Sequence, residues 1–319
     1  MNSVLATVVK SILPTPHWRL IRRATNRLRW LLKFRLMRMY GFPVLEHPWV
    51  AAKYVLWDPE VESYTYELAN ESEYVAFIAP LLGVQPQQVA VWIDEAKTDP
   101  YLTRDRGFRW SAKRRLPLGN RLMWYPIARA LKPKLIVEAG IHEGLGSEMF
   151  LVALSRNSSE GFPGRLVSFD IHEDTGGLVH PDLRARWTRI IESTLTGMPK
   201  ALRGLEVDLY VHETPHDPQI IRGELRCALR HAAQRLAVID SSGLIRTVLR
   251  DHCAVHGGSH HFFLDQPKNH IVRSFGMGLA FFERSRIRLD ALNDDSPQDL
   301  QDPQGICGGG GDGPMADAA

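Results

Sequence analysis

The sequence predicts an α/β fold: a doubly wound, mostly parallel sheet with an antiparallel final strand, preceded by a helical N-terminal extension. Three observations carry this expectation. From about residue 119 onward, short apolar runs rich in β-branched residues alternate with helical patterns. Several of these runs end in or just before an acid, at Glu138, Asp170, Glu213 and Asp240. The first of them passes through a glycine-rich turn directly into helix-forming sequence.

That first unit organises the rest. Leu135-Ile136-Val137 reads as a buried strand, and Ser147 to Leu154 as the first turns of a helix. Between them lies Glu138-Ala139-Gly140-Ile141-His142-Glu143-Gly144-Leu145-Gly146. Strand, glycine turn and helix in this order open a Rossmann-like unit, where the strand's carboxyl end and the helix's N-terminus converge on a ligand. Glycine reaches backbone angles closed to other residues and removes the Cβ atoms that would push a ligand away. A turn with no ligand is the plain alternative. The spacing is G-x-x-x-G-x-G rather than the dinucleotide pattern G-x-G-x-x-G.

The second strand, Arg165 to Asp170, ends in an acid. In a Rossmann-like unit an acid at this place accepts hydrogen bonds from ribose hydroxyls; a strand-terminal carboxylate in water is the other reading. Asp170 stands thirty residues after Gly140, where about twenty is usual, and a polar stretch over residues 155–164 accounts for the excess. His172, Glu173 and Asp174 follow, either as lining of a nucleoside pocket or as a loop.

Leu183 to Leu195 reads as helix, and Glu206 to Glu213 as a strand with His212, Glu213, His216 and Asp217 at its carboxyl end. Pro218 opens a long helix to about Gln234. Arg235 to Asp240 is a further strand, followed by Ser241-Ser242-Gly243 and a helix over Leu244 to His252. Ser259–Leu264 and Phe275–Phe282 are the two closing strands. From about residue 290 the chain is polar, and its glycine-rich end is low-complexity sequence expected to be disordered.

Upstream, the first acid is Glu46, while Arg19, Arg22, Arg23, Arg27, Arg29, Lys33, Arg35 and Arg38 crowd one segment. Thr15-Pro16 starts a helix there and Gly41 with Pro43 ends it. Ile21, Leu28, Leu31, Leu32 and Met39 lie near one face, so residues 15–40 form a basic amphipathic helix. Such a helix suits an anionic membrane surface, an acidic partner or RNA, or simply packing on the body with its basic face in water. Residues 46–118 read as short helices and loops, with starts at Asn70-Glu71-Ser72-Glu73 and at Pro86. A second basic cluster, Arg104, Arg106, Arg109, Lys113, Arg114 and Arg115, suits either a phosphate group or solvent. Gly119 to Leu131 is expected as a helix broken by Lys132-Pro133-Lys134. The segments are therefore 1–45, a basic amphipathic helix; 46–118, a helical extension; 119–289, the Rossmann-like domain; and 290–319, a disordered tail.

The totals are those of a soluble globular protein: 44% hydrophobic, 24% charged, net charge +3. Such a small net charge makes no global demand for nucleic acid. Cys227, Cys253 and Cys307 are widely spaced, which excludes a disulfide framework and fits a reducing compartment. No run approaches ~20 apolar residues, and a cytoplasmic protein, peripheral to the inner membrane surface if the basic helix binds there, is expected.

The strand Glu138 and the three glycines resemble motif I of the class I S-adenosylmethionine-dependent methyltransferases, E/D-x-G-x-x-x-G-x-G. By that resemblance the turn at Gly140, Gly144 and Gly146 passes the methionine part of the cofactor, Glu138 orders the loop, and Asp170 takes the adenosyl ribose. Over residues 119–283 the order of pieces is similar to one branch, the type 24 methyltransferases and cephalosporin-hydroxylase-like proteins. His216 in Val211-His212-Glu213-Thr214-Pro215-His216-Asp217 matches that branch's histidine, and His212 or Glu213 its acid. Metal-dependent relatives carry a carboxylate after this strand and an Asp-Asn pair after the next; here the second site is Asp240-Ser241, lacking the amide. Glu213 and Asp240 with waters are the donors left for Mg²⁺. His212 or His216 is a general base for a hydroxyl, or a structural histidine.

The resemblance implies transfer of the methyl of S-adenosylmethionine to an oxygen of a small molecule, a sugar or natural product, with His216 or Asp240 near the nucleophile. The competing reading is a non-catalytic Rossmann-like protein of a membrane-surface polysaccharide or lipid pathway. An RNA methyltransferase ranks below both, since no Asn-Pro-Pro-Tyr-like motif is present.

Overall fold

The computed structural model describes residues 66–104, 118–214, 217–240, 246–268 and 276–292, all within one compact unit spanning Val61–Leu300. The basic segment 15–40, the tail beyond residue 292 and His216 lie outside the described residues. Helix α1 (Glu71–Leu82) begins with two acids in its first turn, where negative charge meets the positive end of the helix dipole. Helix α2 (Pro86–Thr98) starts on the proline that the sequence marked, and a single turn, α3 (Pro100–Thr103), is capped by the Asp99 carboxylate. The expected helix from Gly119 opens instead as a 3-10 turn, Gly119–Met123, and becomes α4 at Trp124–Leu131. Lys132, in the left-handed region at φ 48°, ends it.

The sheet follows: β1 (Leu135–Ala139), α5 (Leu145–Ser159), β2 (Arg165–Asp170), β3 (Trp187–Ile191), α6 (Thr194–Ala201), β4 (Val207–His212), α7 (Pro218–Arg230), β5 (Ala232–Asp240), α8 (Arg246–His256), β6 (Ser259–Phe263) and β7 (Met277–Glu283). The strand order is β3-β2-β1-β4-β5-β7-β6, with β7 antiparallel to both neighbours and the other pairings parallel. β6 therefore runs with the parallel set, and its carboxyl end joins theirs along one edge.

The largest departure from expectation is a change of element type. Leu183 to Leu195 is not a helix: Pro181–Arg186 is a 3-10 turn and Trp187–Ile191 is a strand. The run Trp-Thr-Arg-Ile-Ile is aromatic and β-branched, stiff in a helix and suited to a pleat. The free edge of β2 completes its backbone hydrogen bonds in register from Leu166↔Trp187 to Asp170↔Ile191. The polar stretch read as loop from Ser155 is helical as far as Ser159, because α5 continues until Glu160 and Gly161 turn the chain.

Two apolar layers sandwich the sheet. Ile136, Leu166, Leu209, Val211 and Leu279 face α1, α2, α4 and α5. Val137, Phe169, Tyr210, Val238 and Phe282 face α6, α7 and α8. Period-two alternation along each strand divides the residues between the faces. The N-terminal extension is stitched to the carboxyl edge: Leu68 bridges Pro267, Ala69 N–H donates to Gln266 O at 2.7 Å, and the Asn70 amide reaches Leu264 O at 3.0 Å.

Candidate functional site at the β1–β4 crevice

β1 and β4 are adjacent, yet the helix after β1 covers one face and the helix after β4 the other. This is the topological switch point, where an open α/β sheet leaves a crevice beyond its strand ends. Glu138 stands at that edge, 1% exposed. Ser147 Oγ from α5 and Ser168 Oγ from β2 donate to its Oε2 at 2.6 and 2.7 Å. Trp187 Nε1 in turn donates to Ser168 Oγ at 2.9 Å. Burial pushes the Glu138 carboxyl up to about 7, against the two serine bonds that favour its anion.

The glycine turn adopts the conformation its composition implies. Gly140 and Gly144 have φ of +93° and +92°, angles that cost a residue with a side chain about 1–2 kcal/mol. The space that their missing side chains leave is taken by protein. A Cβ on Gly140 would stand 2.4 Å from Glu213 O; on Gly144, 2.8 Å from Val179 Cγ2; on Gly146, 2.8 Å from the Trp124 ring. The glycines are thus required by close approach of the chain to itself, in addition to any ligand.

Asp170 points to the turn rather than away from it. Its Oδ2 accepts from Ile141 N and His142 N, both at 3.0 Å, and its Oδ1 from His172 N at 3.0 Å. A carboxylate offers about four acceptor positions, so these three bonds leave Oδ1 capacity for one more donor. The loop after β2 runs along the turn, with Gly176 N donating to His142 O at 2.7 Å and Leu178 N to Glu143 O at 3.0 Å. Arg104 holds this loop by donating to Leu178 O, and its guanidinium is 2.6 Å from the buried Glu148 carboxylate of α5.

On the other side of the turn stands Glu213, read from the sequence as a metal donor, with partners that the sequence reading missed. Glu213, just past β4, donates its N–H to Ala139 O at 2.7 Å and faces Arg121 of the 3-10 turn, with Oε2 3.6 Å from the guanidinium. Arg121 lies over the Trp124 ring at 5.3 Å from its centre. Among the described residues, Glu213 Oε1, Asn120 Oδ1 and Trp124 Nε1 are buried without a hydrogen-bond partner. Two acceptors and one donor left unsatisfied beside a guanidinium suit a small zwitterion. The available signal was the polar pair Asn120-Arg121 at the front of an apolar helix, but its partner Glu213 is remote in sequence. Close by, the Tyr66 hydroxyl donates to Asp265 Oδ2, whose Oδ1 accepts from Gly276 N at 2.7 Å.

Asp240 is 4% exposed and lies in register with His212 across β4 and β5 and with Gly278 across β5 and β7. It continues the face of Leu236 and Val238, whereas Glu213 follows Leu209 and Val211 on the other. The two carboxylates thus diverge, and Glu213 already faces a cation. Among the described residues no group of three or more His, Cys, Asp and Glu side chains stands together. The Glu213–Asp240 pair does not fit a shared divalent ion. His212 is buried under the sheet, its Nδ1 2.7 Å from Glu224 Oε2. Burial alone would lower its pKa; the hydrogen bond and charge of Glu224 outweigh this and raise it. With that ring bound to Glu224, the geometry does not present His212 as a free general base.

No protein-family model and no curated protein matches the chain. Among solved structures it is similar to an O-methyltransferase from Bacillus cereus in complex with SAH, at 12% identity and TM-score 0.42, over 70% of this chain and 100% of that one. It is also similar to the O-methyltransferase TomG from Streptomyces achromogenes in complex with SAM, at 14% identity and TM-score 0.41, over 71% and 95%. An rRNA methylase from Streptococcus thermophilus is similar at 13% identity and TM-score 0.38, over 50% and 94%. At these values the likenesses do not bear on what the chain binds. The strand order, the single antiparallel strand β7 and the glycine turn at the switch point are its own, and they make this a Rossmann-like fold.

Proposed function

We propose that the chain binds S-adenosylmethionine along the β1–β4 crevice and methylates a hydroxyl oxygen of a small molecule. The observation that supports this best is the set of unsatisfied buried polar atoms, Asn120 Oδ1, Trp124 Nε1 and Glu213 Oε1, on residues that neighbour Arg121, with Trp124 and Glu213 meeting the glycine turn. Arg121 and the Trp124 N–H suit an α-carboxylate, and Glu213 with the Asn120 oxygen suits an α-ammonium. Gly140, Gly144 and Gly146 shape the turn, Glu138 anchors it, and the remaining acceptor position of Asp170 Oδ1 suits a ribose hydroxyl.

When bound, the sulfonium supplies an already activated methyl group, so the protein has mainly to align it with the acceptor and receive one proton. Asp240, at the carboxyl end of β5, is the described residue proposed to receive that proton; His216 is the other candidate. Titration calorimetry with S-adenosylhomocysteine tests the reading. Binding by the wild type, weakened about tenfold or more in Asp170→Ala and in Arg121→Ala, supports it. No binding by the wild type, or binding untouched by both changes, overturns it.

A further inference from the structure

The carboxylate of Glu224 takes no part in the site described above and lies on the opposite side of the sheet. It falls on the apolar stripe that α7 turns to the core, with Ile221, Leu225 and Ala228, and is 1% exposed. A buried carboxylate is tolerated only when its oxygens are satisfied. Here the satisfaction is complete: Thr194 Oγ1 and Thr214 Oγ1 donate to Oε1 at 2.5 and 3.0 Å, Tyr210 OH and His212 Nδ1 to Oε2 at 2.6 and 2.7 Å. Four donors match the roughly four lone pairs of a carboxylate.

Where the donors come from matters more than their number. Three of them, Tyr210, His212 and Thr214, belong to the end and exit of β4. His212 and Thr214 flank Glu213 on either side. Glu213 is the residue that meets the glycine turn: its N–H bonds Ala139 O at 2.7 Å, and its carbonyl lies 2.4 Å from where a Gly140 Cβ would stand. A strand exit would otherwise be free to swing after its last ladder bond. Here both neighbours of Glu213 hang on one carboxylate below the sheet, which leaves Glu213 one height above β1 and its side chain toward Arg121.

We propose that Glu224 is a positioning residue: from beneath the sheet it fixes the exit of β4, and with it Glu213, against the glycine turn. The proposal rests on reading this crevice as the cofactor site, and it deepens that reading by assigning the support of its wall. It calls for a buried acid on α7, since an apolar side chain there would pack equally well and leave the exit unheld.

Hydrogen exchange at the Glu213 amide, together with S-adenosylhomocysteine titration, separates the two ideas in Glu224→Ala, Glu224→Gln and Thr214→Val. In Glu224→Ala the Glu213 amide is expected to lose protection about tenfold or more while amides at the centre of β1 keep theirs. Affinity for S-adenosylhomocysteine is expected to fall about tenfold or more. Glu224→Gln keeps an oxygen for the two threonines and should restore most of both. If Glu224→Ala does not fold by circular dichroism, Thr214→Val decides, since it removes the exit-side hydroxyl that bonds Glu224 at 3.0 Å and lies 3.3 Å from His212 Nδ1. Unchanged protection at Glu213 relative to β1, or lost protection with undiminished affinity, overturns the proposal. Absence of binding by the wild type overturns the cofactor reading instead, and the exchange result still decides what Glu224 holds.

Discussion

Replacing Glu138 with glutamine isolates the electrostatic cost of the acid at the turn. The substitution keeps the shape and an oxygen for Ser147 and Ser168, which donate to the carboxylate at 2.6 and 2.7 Å. It removes a charge that burial disfavours. The carboxyl is raised from 4.5 to about 7 in the folded chain. A raised folded value means that the native state binds the proton more tightly than the unfolded chain. The stabilising effect is therefore present below about pH 4.5 and is lost as pH rises through about 7. At about 1.36 kcal/mol per pH unit, a rise from 4.5 to about 7 makes ionised Glu138 cost about 3 kcal/mol by pH 8.5. Urea unfolding of wild type and Glu138→Gln at intervals from pH 4.5 to 8.5 measures this directly, because other titrating groups cancel in the difference. The variant should gain on the wild type steadily as pH rises, by about 3 kcal/mol in all. A difference that stays flat within about 0.5 kcal/mol across that range would show that Glu138 is not ionising in a desolvated place, and the account of the turn would fail.

Gly140→Ala should destabilise by more than about 2 kcal/mol, since left-handed strain of about 1–2 kcal/mol adds to a Cβ placed 2.4 Å from Glu213 O; denaturant midpoints check this. The His212–Glu224 pair should stabilise most between about pH 4.5 and 6.5. Its contribution falls above that window as the raised His212 deprotonates, and below it as Glu224, held under its usual range by His212 despite burial, takes a proton. Glu224→Gln should flatten that part of the wild-type profile, and an unchanged profile would count against a charged pair. Deleting residues 1–45 should abolish flotation with anionic vesicles if the basic amphipathic segment is the membrane contact. Vesicle binding retained by the shortened chain would remove that reading.

Local signals sufficed for much of this protein. Leu135 to Val137, the glycine turn and the helix behind it could be read from period, β-branching and glycine spacing, because each depends on neighbours in sequence. Asp170 was legible as a strand-terminal acid, since an apolar run that stops at a carboxylate stops at the sheet edge. Glu224 left a trace too, as an acid on the apolar stripe of an amphipathic helix. The strand at Trp187 was misread because its residues suit several patterns, and only the open edge of β2 selected the pleat.

What the sequence by itself determined is the alternation of strand and helix, and the place of the glycine turn within it. Tertiary structure alone decided who meets that turn. Arg121 and Glu213 are separated by ninety-two positions and come together only because a 3-10 turn and the exit of β4 converge on one edge. The same convergence fills the space over Gly140 with a carbonyl, and sends Glu213 and Asp240 to opposite faces. Side-chain period and turn chemistry act over a few residues, whereas the contacts of a crevice follow from strand order, which no single stretch encodes.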